Sequence, residues 1–256
     1  MFFKNAIVRI PPRTIINGIT SANLGKPIYE KALKQHEDYV IALTKAGLNV
    51  TVLEPKDEFP DSCFVEDVAL CTKHCVIISR PGASTRQKEV ELEDMQSTLK
   101  KFYQNIEYIQ SPGTVEPGDI LMIGNHFYIG LSKRTNQEGA NQMIKILEKY
   151  QLSGSIVTLE EFLHLKTGIN YIENNNIVVA GEFINKTEFA QYNKIIIPES
   201  EAYSANCLWV NDYVLVPKGF PTILEKVNAL GYETLEVDTS EFRKIDGGLT
   251  CLSLRF

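Results

Sequence analysis

The chain has 256 residues, of which 44% are hydrophobic and 23% charged, the make-up of a folded protein with a sizeable core. A net charge of −6 argues against a nucleic-acid partner, which asks for a basic face, and no apolar run approaches the roughly 18 residues of a membrane span. The opening Met1-Phe2-Phe3-Lys4-Asn5-Ala6 lacks a long apolar segment and a small-residue cleavage site, and five cysteines without regular spacing make no disulfide framework, so a cytoplasmic setting is expected.

A β-rich segment, Asn5–Ile10, comes first, and the polar, glycine-containing stretch Asn17–Lys26 after it reads as a mobile lid. Apolar spacing predicts a helix over Lys31–Lys45 and a strand over Asn49–Leu53. Next comes a compound pattern: a polar residue, a β-rich run, a short turn and a second β-rich run, at Cys63–Leu70 with Val76–Ile78. It returns at Glu116–Ile123 with His126–Gly130, at Thr167–Ile172 with Asn176–Gly181, and at Ala205–Val210 with Tyr213–Pro217. Between these lie predicted helices over Lys88–Gln104, Gln137–Tyr150 and Pro221–Leu230, and a strand over Glu233–Val237. A fifth unit begins at Gly247 and runs off the end of the chain, which leaves the opening strand as its natural partner. Asp67, Asp119, Gly168, Asn206 and Thr250 stand 52, 49, 38 and 44 residues apart, spacings that point to an array or propeller of supersecondary units. One α/β domain spanning 1–256 is expected.

In such a ring, equivalent positions face one axis, which would gather Glu66, Asp67, Glu116, Asp119, His164, Thr167 and Cys251. Taken singly, each has a bland reading. Cysteine is commonly a small buried hydrophobe, a histidine between leucines is commonly core, and acidic residues commonly end strands. Cys251 does follow Gly247-Gly248, where no side chain blocks a ligand. A nucleophilic thiol needs a base or cation, and a base needs a carboxylate to orient it, so Cys251, His164 and Glu116 together can form a catalytic set. His36 falls on a helix face, His74 in a turn and His126 within a hairpin, which leaves His164 as the base. Cys71-Thr72-Lys73-His74-Cys75 has no second Cys/His pair at a suitable distance, so no metal site is expected.

The residues that carry this chemistry form a familiar series. They are Pro60-Asp61, Phe64-Val65-Glu66-Asp67, Arg80-Pro81-Gly82-Ala83 with Arg86, Glu116-Pro117-Gly118-Asp119, Arg134-Thr135-Asn136, Leu163-His164-Leu165-Lys166 and Asp246-Gly247-Gly248-Leu249-Thr250-Cys251. In this order, and across the whole chain, they resemble the dimethylarginine dimethylaminohydrolases in their short bacterial form, members of the guanidine-modifying superfamily. The resemblance implies the pentein fold, a five-bladed αββαβ propeller with pseudo-fivefold repeats. It also implies hydrolysis of asymmetric dimethylarginine or monomethylarginine to citrulline and dimethylamine or methylamine, with no cofactor, by a homodimer.

By the same resemblance Cys251 attacks the guanidinium carbon to form a covalent S-alkylthiouronium, His164 protonates the departing amine, and Glu116 orients His164. Asp67, with Glu66, binds the guanidinium. Arg86 and Arg134 bind the carboxylate, and Asp61 binds the α-ammonium with the carbonyls of Ile19 and Ile245. Two features stand apart from the pattern. Adjacent residues of a regular strand face opposite ways, so Glu66 and Asp67 cannot both point inward from one. Pro117 occupies a place where many superfamily members have glycine, and brings no N–H. Two other functions remain open on sequence: a deiminase acting on unmethylated arginine, and a non-catalytic binding protein on the same ring, like the ribosome anti-association factor that shares it.

Overall fold

The computed structural model describes residues 2–256. Among the described residues the strands form five three-stranded sheets of one pattern: an antiparallel pair, a hairpin in four of them, then a third strand parallel to the pair's second. In chain order the strands are β1 (Asn5–Arg9) and β2 (Asn49–Leu53); β3 (Ala69–Cys71), β4 (Val76–Ile78) and β5 (Ile106–Tyr108); β6 (Ile120–Ile123), β7 (His126–Leu131) and β8 (Ser153–Thr158). There follow β9 (Ile169–Tyr171), β10 (Asn176–Val179) and β11 (Asn193–Ile196); β12 (Leu208–Val210), β13 (Tyr213–Pro217) and β14 (Glu233–Val237); and last β15 (Leu254–Arg255). β15 pairs antiparallel with β1, and β1 runs parallel to β2, so the two chain ends meet in one sheet. The middle strands β4 and β10 are buried along their whole length, which accounts for the apolar runs Val76-Ile77-Ile78 and Ile177-Val178-Val179.

Helices cover the outer strands. The main ones are α1 (Tyr29–Lys45), α2 (Glu93–Phe102), α3 (Gln137–Lys149), the single turn α4 (Leu165–Gly168), α5 (Pro221–Ala229) and the short α6 (Ser240–Arg243). In α1 the buried Ala32, Gln35, His36, Tyr39, Ala42 and Leu43 recur at helical spacing and form one face. α3 starts at Asn136, whose side chain caps Gly139 N–H at 2.8 Å. The helix expected over Lys88–Gln104 is divided. Residues Ser84–Glu91 make 3-10 turns, Leu92 is extended, and α2 follows. The fourth blade departs most from the repeat. Its crossover from β10 to β11 has only the short turns Gly181–Ile184 and Thr187–Phe189, which bury Phe183 and Phe189. A missing helix explains why its spacing shrinks to 38 residues.

The first strand of each antiparallel pair is preceded by a short helical segment: Val65–Val68, Pro117–Asp119, α4, Glu199–Ala205 and Thr250–Leu252. These turns touch their neighbours around the axis. Asn206, next to the fourth, accepts Thr250 N–H at 3.0 Å and so joins the last two.

Ring closure also rests on Asn211, in the β12–β13 turn. Its Oδ1 accepts Phe3 N–H at 2.8 Å, and its Nδ2 donates to the carbonyls of Phe3 at 3.0 Å and Ala46 at 2.9 Å. The backbone there has φ 54, a conformation asparagine tolerates better than most residues. Asn211→Ala strands three buried backbone groups, so it is expected to destabilise the fold by about 2–3 kcal/mol, read as a lowered urea midpoint.

Candidate active site

The helical turns at the hairpin mouths deliver the polar residues to the axis. Because Glu66 and Asp67 lie in a turn and not in a strand, the two-face rule for strands does not apply to them, and they part company differently. Asp67 lines a small cavity of about 40 Å³ at one end of the ring. Glu66 does not line it. It lies at a second cavity, of about 120 Å³, that holds Lys166 and Arg255, and it pairs with Lys166 at 2.6 Å and Arg255 at 3.3 Å. The small cavity brings together Cys251, His164 and Glu116 with Asp67. Asp61, Arg86, Arg134, Ile19 and Ile245 complete its wall.

His164 stands between two carboxylates. Its Nε2 is 3.4 Å from Glu116 Oε2, and its Nδ1 is 3.2 Å from Asp119 Oδ1, close enough for charge attraction though off the hydrogen-bond line. Asp119 is fully buried and anchored by the Ser132 and Thr135 hydroxyls, each 2.7 Å from Oδ2, and by Leu165 N–H at 3.0 Å from Oδ1. Glu116 is held by Ala83 N–H at 2.9 Å and by Arg134 at 3.4 Å. That contact gives the Arg80-Pro81-Gly82-Ala83 segment a structural task. Pro117 opens its 3-10 turn, where its missing N–H has no intrahelical partner to lose. The donor that matters comes from the next residue, Gly118, whose N–H reaches Asp67 Oδ1 at 3.1 Å.

These neighbours set the protonation states. Burial opposes the charged imidazole of His164, yet Asp119, Asp67 and Glu116 outweigh it and push its pKa up to about 9. Burial also pushes the Cys251 thiol up, and Glu66 and Asp67 add to that, to about 12. At neutral pH the unliganded site therefore holds a thiol beside an imidazolium. Asp61 is raised by burial to about 6, with Arg86 and the Ile19 N–H at 3.0 Å acting in the other direction.

Cys251 lies in the turn Thr250–Leu252, with Gly248 N–H pointing at its sulfur at 3.4 Å. The double glycine before it serves packing. A Cβ at Gly247 would fall 2.3 Å from the Phe64 ring, and one at Gly248 2.5 Å from the Asn206 amide. The Asn17–Lys26 stretch ties to the rim through Ser21, whose N–H meets Asp246 Oδ2 at 2.6 Å, and Thr20, whose hydroxyl meets the Lys244 carbonyl at 2.9 Å. Beyond Cys251 and His164 a third cavity, of about 360 Å³, opens between Leu24, Phe162, Leu163 and Tyr203. Asp67, Glu116 and His164 offer ligand atoms within 4.8 Å of one another, the one group so placed among the described residues. Arg86, Arg134 and Asp119 already engage these three.

Sequence reasoning placed Asp119 at the axis but gave it no role, although it closes the Glu116-x-Gly118-Asp119 motif. It also missed Lys166, whose burial gave the signal only once Glu66 was seen beside it.

A five-bladed α/β propeller with a thiol, an imidazole and buried carboxylates at its axis suits a hydrolase that acts on carbon–nitrogen bonds of an amidine, and its relatives make it one. The family model described as N,N dimethylarginine dimethylhydrolase, eukaryotic, matches residues 17–202. A dimethylarginine dimethylaminohydrolase from Pseudomonas aeruginosa is 56% identical over 255 residues, covering 99% of this chain and 100% of the relative. The enzyme of the same name from Streptomyces coelicolor is 30% identical over 98% of the chain and 96% of its own length. A structure of the Pseudomonas enzyme, a cysteine-to-serine variant complexed with citrulline, superposes with a TM-score of 0.98 at 55% identity over the whole of both chains. The chain belongs to the dimethylarginine dimethylaminohydrolase family.

The field around the thiol is open to direct test. Alkylation of Cys251 by the neutral reagent iodoacetamide is expected to be slow at pH 7 and to climb about tenfold per pH unit up to pH 9, since only the thiolate reacts. Mass spectrometry of the Cys251 peptide measures it. A rate already flat at pH 7 would show the thiolate to be the resting form.

Proposed function

We propose that this chain hydrolyses asymmetric dimethylarginine or monomethylarginine to citrulline and dimethylamine or methylamine. The observation that carries this reading is the placement of Cys251 and His164 between two unlike cavities. On one side lies a wall with Asp61, Arg86 and Arg134, whose charges complement an α-ammonium and an α-carboxylate. On the other lies room bounded by Leu24, Phe162 and Leu163, suited to alkyl groups on a leaving nitrogen. The name of the Pseudomonas relative and the citrulline in its structure support the same substrate and product.

A substrate guanidinium is drawn to Asp67 and Glu116. Its positive charge then favours ionisation of Cys251, and the thiol proton leaves to solvent. The thiolate attacks the guanidinium carbon to give a tetrahedral adduct. His164, already an imidazolium, gives its proton to the alkylated nitrogen, and the C–N bond breaks to release the amine. The remaining S-alkylthiouronium is attacked by a water that the now neutral imidazole deprotonates. Collapse expels the sulfur of Cys251, which takes up the adduct's hydroxyl proton and returns to the thiol, and leaves the ureido group of citrulline. Glu116 and Asp119 orient the ring and favour its cationic form throughout. Asp61 and the carbonyls of Ile19 and Ile245 would take the ammonium, while Glu66 would act from behind through its pair with Lys166.

We read residues 1–256 as one catalytic unit, acting as a homodimer in the cytoplasm and without nucleic acid. The acidic charge and five free cysteines fit that setting. No helix among the described residues is long and apolar enough to cross a membrane.

Release of citrulline and amine from dimethylarginine, monomethylarginine, arginine and agmatine is the deciding assay. Turnover of the methylated substrates is expected, with Cys251→Ser lowering kcat by about a thousandfold or more. Turnover of arginine alone would make the chain a deiminase. Leu163→Phe narrows the apolar side, so kcat/KM for dimethylarginine is expected to fall roughly tenfold relative to monomethylarginine. An unchanged ratio would remove that cavity from the argument.

A further inference from the structure

Arg86 forms part of the small cavity's wall, and its guanidinium carries five N–H donors. Most are committed inside the protein. Glu89, three residues on in the same 3-10 segment, takes one edge: Nε lies 3.2 Å from each of its oxygens, and Nη2 lies 2.8 Å from Oε2. Nη2 also reaches the Phe64 carbonyl at 2.9 Å, with that of Asp61 at 3.3 Å. Nη1 gives one N–H to Asp67 Oδ2 at 2.6 Å. One N–H therefore remains, on Nη1. Glu89 is itself 2% exposed and does not line the cavity, and Arg86 is the cavity residue to which it is hydrogen-bonded.

We propose that Glu89 is a positioning residue for recognition of the substrate carboxylate, holding the Nε–Nη2 edge of Arg86 so that the last N–H on Nη1 stays available beside Arg134. The inference rests on the function proposed above and adds a residue to it. Arginine's planar fork makes the geometry strict, because fixing one edge fixes the direction of the remaining nitrogen. Without Glu89 the guanidinium is free to turn about its long side chain, and the N–H meant for the substrate is no longer aimed. Arg134 differs. Its side chain is partly exposed and has one hydrogen bond, to Glu116 at 3.4 Å, so it retains donors of its own.

The test uses the full chain and two substrates: the guanidino amino acid that the wild-type protein turns over best, and its decarboxylated counterpart, read as KM or as an inhibition constant. In Glu89→Gln, KM for the carboxylate-bearing substrate is expected to rise about tenfold with kcat within twofold, while the decarboxylated compound changes less than twofold. Glu89→Asp keeps the charge but shortens the arm. It is expected to show the same selective loss in smaller measure, and it stands in if the glutamine variant does not fold. Equal losses on both compounds would overturn the proposal and leave Glu89 a structural counter-ion, as would no loss on either. Ratios are taken within one protein on whichever guanidine it accepts. Inactivity toward methylated arginine would thus sink the function above without touching this result.

Discussion

Five carboxylates are buried near the axis of this ring, and the rest of the site follows from how they are partnered. Glu66, Asp67, Glu89, Glu116 and Asp119 are each 5% exposed or less. An ion taken from water into a protein interior costs several kcal/mol unless partners replace its hydration. Each of these has such partners. Lys166 and Arg255 serve Glu66, Arg86 bridges Asp67 and Glu89, Ala83 N–H and Arg134 hold Glu116, and two hydroxyls with a backbone N–H hold Asp119. The imidazole of His164 stands among the acids without a full hydrogen bond to any, which is why their summed field decides its charge.

The cysteine's place depends on both ends of the chain. Cys251 sits in the turn just before β15, a strand of two residues that would be nothing without β1. Lys4 and Asn5 N–H groups both meet the carbonyl of Phe256, at 2.9 and 2.8 Å. From the other side, Asn206 grips Thr250 through both its amide atoms. Cys251 is thus pinned by the first strand of the chain and by the neighbouring blade. The helical turn that carries it is equivalent to those that carry Asp67, Asp119 and the residues after His164.

Much of this was legible in the sequence because hairpins and amphipathic helices leave periodic traces. The repeat count and the pairing of the last unit with the opening strand followed from those traces alone. Boundaries were less legible. The mouths of the hairpins look like continuations of β-rich runs, as in Phe64-Val65-Glu66-Asp67-Val68, yet they fold as single helical turns because packing around the axis overrides local preference. That one difference separated Glu66 from Asp67 and sent them to opposite sides of the ring. Glu89 was invisible for another reason. It sits near the start of the helix expected over Lys88–Gln104, and only the buried guanidinium three residues before it shows its task. Gly247 and Gly248 were conspicuous, but their reason lay in the Phe64 ring and the Asn206 amide, far away in sequence.

The resting charge state has a consequence for catalysis. Asp67, with Asp119 and Glu116, favours the imidazolium of His164, and with Glu66 it adds to the burial that holds Cys251 as a thiol, so in the proposed function the site begins with its acid but not with its nucleophile. A guanidinium bound against Asp67 acts on both groups. It lowers the cost of a nearby thiolate by attraction, and by repulsion it makes the imidazolium a readier proton donor. Both shifts favour the chemistry, one supplying the attacking sulfur and the other the proton for the departing amine. A neutral ligand of the same shape produces neither. In the function proposed above, selectivity for a cationic substrate is therefore built into the ionisation of Cys251 and His164 as well as into its binding.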